Sequence, residues 1–174
     1  ERTEDEAFET MLANARPPYP RVDVHGGNFA EPFDLTLTSP MEGAEIRYTL
    51  EGTDPFLGQV YTQPIYMDEG GWTLRAVCVV GNLVSQEQSQ VYTVRYPAPD
   101  MPKANLATGT FSSVQTVGLR AGKDVIAIYY TTDGSEPTTE SKLYQSPIQL
   151  RVGKTRIRAI AINSAGKISN EMDL

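Results

Sequence analysis

The sequence predicts an all-β protein made of two tandem antiparallel β-sandwich modules, with a short helical segment before the first. Three observations support this prediction. The chain repeats itself with a period of about 80 residues, which suits a small domain better than a solenoid unit. Apolar and polar residues alternate over short runs, as in strands with one buried face, and glycine- or proline-containing turns separate these runs about every ten residues.

The repeat is clearest when the two halves are placed side by side. Residues 20–55 correspond to residues 102–137 at a constant offset of 82, and residues 61–76 correspond to residues 144–159 at an offset of 83. The matched positions include Pro20 and Pro102, Gly27 and Gly109, Leu37 and Leu119, Tyr48 and Tyr130, Pro55 and Pro137, Tyr61 and Tyr144, and Arg75 and Arg158. These residue types specify a fold, and no catalytic set recurs among them.

The first 16 residues predict an N-terminal helix or linker. Ala7, Phe8, Met11 and Leu12 follow helical spacing in an acidic stretch. The proline-rich run at 16–20 should end this helix, because proline lacks the backbone N–H and restricts the residue before it.

Residues 17–96 predict the first sandwich module. Alternation at 33–37 and 46–50 indicates strands with one buried and one solvated face. Residues 72–80 are more continuously apolar, which is typical of a strand at the centre of a sheet. A turn at Gly81-Asn82 follows, and a strand over residues 90–96 closes the module.

Residues 103–174 predict the second module, after a stiff proline-rich linker at 97–102. Its strands repeat the plan of the first module up to the turn at Ala165-Gly166. The counterpart of the strand at 91–94 would lie beyond Leu174, so we expect the last strand to be missing or truncated. Such a module would present an open sheet edge that is available for pairing.

The second copy carries the most distinctive motif. It reads Ile-Tyr-Tyr-Thr-Thr-Asp-Gly-Ser-Glu-Pro over residues 128–137, followed by Tyr-Gln-Ser-Pro-Ile at 144–148 and Thr-Arg-Ile-Arg-Ala-Ile-Ala at 155–161. This pattern resembles the chitobiase/β-hexosaminidase C-terminal-like repeat, and the first copy follows the same order with Glu51 in place of the usual Asp. The resemblance implies an immunoglobulin-like accessory module of bacterial surface or secreted proteins, with no activity and no catalytic residues of its own.

The Asp-Gly-Ser-Glu-Pro loop at 133–137, together with Glu140, supplies the main candidate metal ligands, and Glu51, Thr53 and Asp54 of the first copy offer fewer oxygens. Asp133, Ser135, Glu136 and Glu140 could supply oxygens to Ca²⁺, which needs six to eight of them. Turn chemistry is the favoured interpretation, with an Asx hydrogen bond from Asp133 and positive φ at Gly134. We therefore predict no metal and no cofactor.

Exposed aromatic side chains are the candidate ligand-binding residues, because sugar sites stack aromatic faces on pyranose rings. Trp72 follows two glycines at a strand entrance and aligns with Thr155, so the fold does not require it. Phe56 and Tyr66 are further candidates. The tyrosines that recur in both copies are instead expected in core or corner positions, with their hydroxyls bonded internally.

Composition excludes several function classes. The formal net charge of −7 argues against a nucleic-acid partner, and no apolar run is long enough to span a bilayer. The single His25 and the single Cys78 supply neither a catalytic triad nor a His-based metal site. Cys78 is expected to be a buried small apolar residue.

Taken together, these observations predict a non-catalytic accessory segment of a larger, extracytoplasmic protein, serving as a spacer or as a protein-interaction segment. Its partners would be other domains of that protein. The alternative is a carbohydrate-binding accessory module associated with a glycosidase or a cell-wall protein.

Overall fold

The computed structural model of the chain describes residues 4, 6–7 and 15–174. The chain divides into two compact units, Glu1–Tyr96 and Pro97–Leu174, which are called the first unit and the second unit below. The helical segment predicted over residues 1–16 falls for the most part outside the described residues. The proline-rich residues 97–102 belong to the second unit, where the Asn163 side-chain amide donates a hydrogen bond to the carbonyl of Pro97 at 3.0 Å.

Over residues 15–96, the first unit shows ten strands and one turn of 3₁₀-helix at Pro55–Leu57. The strands are β1 (Arg21–Val22), β2 (Gly27–Phe29), β3 (Phe33–Leu35), β4 (Leu37–Thr38), β5 (Glu45–Thr49), β6 (Gln59–Val60), β7 (Ile65–Met67), β8 (Gly70–Val80), β9 (Leu83–Val84) and β10 (Gln88–Val94). Most are short, and β8 alone runs for 11 residues, in the region where the sequence is most continuously apolar.

The strands of the first unit form one six-stranded sheet and two two-stranded sheets. The large sheet has the order β2-β10-β8-β5-β6, with β9 also paired to β8, and the small sheets pair β1 with β4 and β3 with β7. The predicted all-β architecture is therefore confirmed. One pair departs from the antiparallel plan, because β2 runs parallel to β10 with Tyr92 opposite Gly27. Glycine permits this close approach, since a Cβ on Gly26 would lie 2.5 Å from the carbonyl oxygen of Val91.

The second unit repeats this plan with eight strands. They are β11 (Lys103–Ala104), β12 (Thr116–Val117), β13 (Leu119–Arg120), β14 (Val125–Thr131), β15 (Lys142–Leu143), β16 (Ile148–Gln149), β17 (Arg158–Asn163) and β18 (Met172–Asp173). They form a four-stranded sheet with the order β15-β14-β17-β18, and two small sheets that pair β11 with β13 and β12 with β16. The unit has no counterpart of β2. Its last strand, β18, corresponds only to the first residues of β10 in the first unit.

Each core lies between the large sheet and the small sheets of its unit, as in a sandwich. The first core is contributed by β3, β4 and β7 on one side and by β5, β8 and β10 on the other, with the buried residues Leu35, Leu37, Ile46, Ile65, Met67, Leu74, Ala76, Cys78 and Tyr92. The second core holds Val117, Leu119, Ile128, Tyr130, Ile148, Ile157, Ala159, Ala161 and Met172. The equivalence of these sets explains why the repeated residues in the sequence are apolar and aromatic.

The same polar interaction secures the turn after the first long strand of each unit. In the first unit, Arg75 binds the Glu87 carboxylate through two nitrogens and donates to the carbonyl of Gly52 at 2.9 Å. In the second unit, Arg158 binds Glu171 and donates to the carbonyl of Gly134 at 3.0 Å. A bidentate arginine–carboxylate pair of this kind fixes the orientation of the two side chains in addition to pairing their charges. It ties the turn to the central strand and to the start of the last strand.

The loss of stability on truncating a leucine should distinguish buried strand positions from those that face solvent. Leu119 is 7% exposed in the second core, whereas Leu143 on the edge strand β15 is 42% exposed. We expect Leu119→Ala to lower the free energy of unfolding by about 2–5 kcal/mol. Leu143→Ala is the matched control and should cost less than about 0.5 kcal/mol. Urea unfolding of both variants measures the difference, and equal losses would show that the faces of the strands are assigned incorrectly.

The buried phenol of Tyr92 should make the first unit sensitive to alkali. Its hydroxyl donates to the carbonyl of Val24 at 2.6 Å, and burial followed by the nearby charge of Asp23 raises the pKa of Tyr92 to about 12. In the unfolded chain, the Tyr92 hydroxyl loses its proton near pH 10. The stabilisation of the folded state by the buried, protonated hydroxyl is therefore complete below pH 10 and is lost as the pH rises toward 12.

Urea unfolding between pH 9 and pH 12 measures this effect, with Tyr92→Phe as the control. The unsubstituted chain should lose on the order of 2 kcal/mol more than Tyr92→Phe across this range. Parallel pH profiles for the two proteins would contradict the assignment.

Candidate functional site

A cluster of aromatic and acidic side chains lies where β7 passes into β8 in the first unit. It comprises Tyr66, Asp68, Glu69, Trp72 and Tyr96 and is called the Asp68 cluster below. The Tyr96 hydroxyl donates to the Asp68 carboxylate, and the Tyr96 backbone N–H donates to Glu69 at 3.2 Å. The indole N–H of Trp72 donates to the backbone carbonyl of Asp68 at 3.0 Å. The cluster therefore joins the end of the unit to the turn between two of its strands.

The local sequence explains this turn. Strand β7 ends at Met67 and β8 begins at Gly70, so the chain reverses over Asp68 and Glu69. Gly70 has a φ of +155° and lies beneath the indole of Trp72, where a Cβ would approach the ring atom Cζ2 to 3.1 Å. Glycine is favoured here because side chains rarely allow this backbone angle and because a Cβ would press against the indole.

The Tyr96 hydroxyl and the Asp68 carboxylate shift each other's pKa values. The hydrogen bond to Asp68 is the main cause that raises the pKa of Tyr96 to about 12, with further contributions from the Tyr66 hydroxyl and the Glu69 carboxylate. The same hydrogen bond, followed by one from the backbone N–H of Glu69, lowers the pKa of Asp68. The Asp68 carboxylate is therefore ionised at neutral pH and already accepts two hydrogen bonds.

The cluster presents an aromatic ring to solvent close to its acidic and phenolic groups. Tyr66 is 61% exposed and presents a phenol ring to solvent, near enough to the phenol of Tyr96 to raise its pKa. Trp72 is half-buried and packs against the core, so only part of its ring is available. The cluster contains no serine, cysteine or histidine that could act as a nucleophile or base with Asp68.

The three aromatic residues predicted to bind a ligand do not form one surface. Tyr66 and Trp72 both belong to the Asp68 cluster. Phe56 lies on the opposite face of the large sheet, where the guanidinium of Arg47 stacks over its ring at 4.8 Å from the centroid. Arg47 points away from the core because its neighbours in β5, Ile46 and Tyr48, pack into it.

Neither Asp68 nor Tyr96 is marked in the sequence as a candidate site residue. The sequence pattern puts Tyr96 at the end of the last predicted strand, next to the proline-rich run. Its contact with Asp68 joins positions 28 residues apart, and no periodicity in the sequence indicates such a pairing. The only available signal was the aromatic residue itself, immediately before a run of prolines.

The Asp-Gly-Ser-Glu-Pro loop of the second unit forms the turn that its composition predicts. The Asp133 carboxylate accepts hydrogen bonds from the backbone N–H of Ser135 at 3.0 Å and from its hydroxyl at 2.6 Å. These bonds lower the pKa of Asp133. Gly134 has a φ of +79°, and Glu140 belongs to the following turn, where its N–H donates to Thr138. The Oδ1 oxygen of Asp133 is thus engaged within the loop.

The described part of the chain shows no group of three or more His, Cys, Asp or Glu side chains placed to hold a metal ion. Cys78 is buried, and burial raises the pKa of its thiol, so the group is held in its unreactive form. Within the same residues, no helix is long and apolar enough to cross a membrane.

The recurring tyrosines occupy equivalent places in both cores. Tyr48 and Tyr61 pack edge-on with ring centroids 6.3 Å apart, and Tyr130 and Tyr144 repeat this geometry at 6.3 Å. The hydroxyl of Tyr144 accepts a hydrogen bond from the backbone N–H of Leu119 at 3.1 Å. These tyrosines belong to the packing of the fold, as the repeat predicts.

These features define a class of protein: a tandem pair of immunoglobulin-like β-sandwich modules whose repeated interactions maintain turns and cores. A family model described as the chitobiase/beta-hexosaminidase C-terminal domain matches the chain twice, over residues 24–93 and 106–172. The chain belongs to this family, with one copy in each unit. The resemblance noted in the sequence is thereby confirmed. A search of curated proteins found no match to this chain.

Two solved structures are similar to the chain. The first contains the fibronectin(III)-like modules of CbhA from Clostridium thermocellum, with 14% identity, a TM-score of 0.31, and coverage of 88% of this chain and 90% of that one. The second is the apo structure of beta-glucuronidase 3 from Bacteroides uniformis, with 14% identity and a TM-score of 0.29. The alignment covers 90% of this chain but only 24% of that enzyme.

The Asp68–Tyr96 hydrogen bond can be tested by titration. Replacing the hydroxyl donor in Tyr96→Phe should raise the pKa of Asp68 toward its usual value, because the ionised carboxylate loses its main stabilising partner. Carbon-13 NMR of the carboxyl group measures the change. Tyr66→Phe is the matched control, since Tyr66 donates no hydrogen bond to Asp68 in the structure. An unchanged pKa in Tyr96→Phe would show that the bond does not persist in solution.

Proposed function

We propose that this chain is a non-catalytic accessory segment of a larger extracytoplasmic bacterial protein, in which it acts as a spacer or a protein-contact segment. Membership of a family of C-terminal accessory domains supports this role. The compartment and the presence of neighbouring domains are part of the same proposal and rest on that membership.

The observation that carries this proposal is the nature of the interactions that recur in the two units. The arginine–glutamate pairs secure turns, and the paired tyrosines fill the cores. A buried serine repeats as well: Ser85 accepts from the N–H of Cys78, and Ser169 accepts from the N–H of Ala161. Each of these groups satisfies a structural need. A module retained for chemistry would instead repeat a set of reactive groups.

The second candidate function is carbohydrate binding, and the Asp68 cluster is the observation that favours it. The exposed Tyr66 ring offers a stacking face, and the ionised Asp68 carboxylate, two residues along the chain, offers a hydrogen-bond acceptor. Sugar recognition needs these two elements together. The half-buried indole of Trp72 would extend the apolar surface at the edge of the site.

A glycan array distinguishes the two functions. The spacer or protein-contact role predicts no binding to chitin-type or cell-wall oligosaccharides by the intact chain. Carbohydrate binding predicts an affinity that falls about five- to thirtyfold in Tyr66→Ala, because the exposed ring contributes about 1–2 kcal/mol of stacking and burial. Tyr19→Ala removes another exposed tyrosine of the first unit and should leave any signal unchanged. Binding that depends on Tyr66 would overturn the spacer role.

A further inference from the structure

The outer faces of the small sheets carry opposite charges in the two units. In and next to β1, β3, β4 and β7 of the first unit, every second side chain packs into the core, and the side chains between them point to solvent. Six of these solvent-facing residues are called the acidic face below: Arg21, Asp23, Asp34, Thr38, Tyr66 and Asp68. They comprise three carboxylates and one guanidinium.

The equivalent residues of the second unit form a basic face. They lie at offsets of 82 and 83 from their counterparts and are Lys103, Asn105, Thr116, Arg120, Gln149 and Arg151. The strand register confirms the equivalence, because Asp34 lies opposite Tyr66 in one unit and Thr116 lies opposite Gln149 in the other. These six positions hold three cations and no carboxylate.

Four of the six positions change charge between the units, and all four change in the same direction. Two carboxylates are replaced by neutral residues, one threonine by arginine, and Asp68 by Arg151. Random exchange of surface residues would change the charge in both directions. Both units form the same pairs of small sheets in spite of these differences, so the fold requires neither set of charges.

The cations of the basic face lack a partner in their own unit. Lys103 lies directly opposite Arg120 in the β11–β13 pair, and like charges in this position destabilise a sheet. Among residues 15–174, neither of them nor Arg151 forms an ion pair, whereas Arg75 and Arg158 of the large sheets do. An acidic surface placed over the three cations would remove this repulsion.

Tyr66 adds a recognition element for arginine to the acidic face. Its ring is 61% exposed, and the residue lies directly opposite Asp34 and two positions before Asp68. A guanidinium can pair with a carboxylate and also stack on an aromatic ring. Two of the three cations on the basic face are arginines, Arg120 and Arg151. The two faces therefore match in the chemistry of their side chains as well as in the sign of their charge.

We propose that the acidic face of one copy of this chain docks on the basic face of a second copy. Charge complementarity selects this partner, because the chain itself carries both surfaces. The two faces differ, so the contact is heterologous, and association continues with rising concentration unless it closes into a ring. The inference goes beyond the accessory role proposed above and does not depend on it.

Sedimentation equilibrium of the intact chain tests the proposal. At about 0.01 M salt, where the screening length is about 30 Å, the weight-average mass should rise above that of one chain as the protein concentration increases. At about 1 M salt the screening length falls to about 3 Å, and the mass should return to that of one chain. A monomer at every concentration in low salt would overturn the proposal.

Two charge variants, one on each face, identify the surfaces. Asp34→Arg and Arg151→Asp should each weaken association at least tenfold. Neither side chain makes a hydrogen bond or an ion pair within residues 15–174, so both variants should keep the melting temperature of the unsubstituted chain. Glu42→Arg and Lys123→Asp are the matched controls, since they make the same changes in the exposed turns before β5 and β14. Both controls should associate like the unsubstituted chain.

An equal mixture of the two variants tests whether the two faces bind each other. The Arg151→Asp chain keeps an intact acidic face and the Asp34→Arg chain an intact basic face, so one contact of the original kind can form between them. The mixture should give a one-to-one complex with twice the mass of one chain, although neither variant associates alone. A mixture that stays monomeric would contradict the proposal.

Arg120→Thr is a further variant that the fold accepts, because Thr38 occupies the equivalent position of the first unit. It should weaken association without lowering the melting temperature, since it also removes the repulsion from Lys103. Association that persists in both Arg120→Thr and Asp34→Arg would assign the self-contact to another surface and overturn the proposal. None of these outcomes bears on the accessory role, which the glycan array tests separately.

Discussion

Each unit depends on a central strand that must be buried on its core face and paired along both edges. Strand β8 meets this requirement with β5 on one edge and β10 on the other, and β17 does so with β14 and the short β18. The remaining features follow from these pairings. The small sheets cover the core face, the arginine on the central strand secures the turn beside it, and the last strand closes the sandwich.

The fold was predictable because its determinants are local or periodic. Alternation at Ile46 and Tyr48 indicated a strand with one buried face, and the continuous apolar run in β8 indicated a central one. Because the two copies align, each strand predicted in one unit is also predicted at the equivalent residues of the other. The parallel pairing of β2 with β10 escaped prediction because it depends on a close backbone approach at Gly26, and a glycine pair in a sequence is also an ordinary turn signal.

The candidate site was only partly predictable, for a different physical reason. Trp72 and Tyr66 stand out in the sequence as aromatic residues outside the repeated pattern, although Trp72 also packs against the core of the first unit. Phe56 gave the same signal but lies on the other face of the sheet, stacked beneath Arg47. The hydrogen bond between Tyr96 and Asp68 joins residues that are 28 positions apart, and nothing in a single sequence indicates that these two residues are neighbours in the fold.

The offset between equivalent residues grows along the chain, and this drift has a practical meaning. Thr49 corresponds to Thr131 at 82 residues, Tyr61 to Tyr144 at 83, and Ser85 to Ser169 at 84. Both single-residue steps fall outside the long strands, one in the loop before Tyr144 and one near the turn at Gly166, so the cores keep their register. These two loops are natural points for labels, affinity tags or grafted epitopes, because the fold has already tolerated a change of length at each of them.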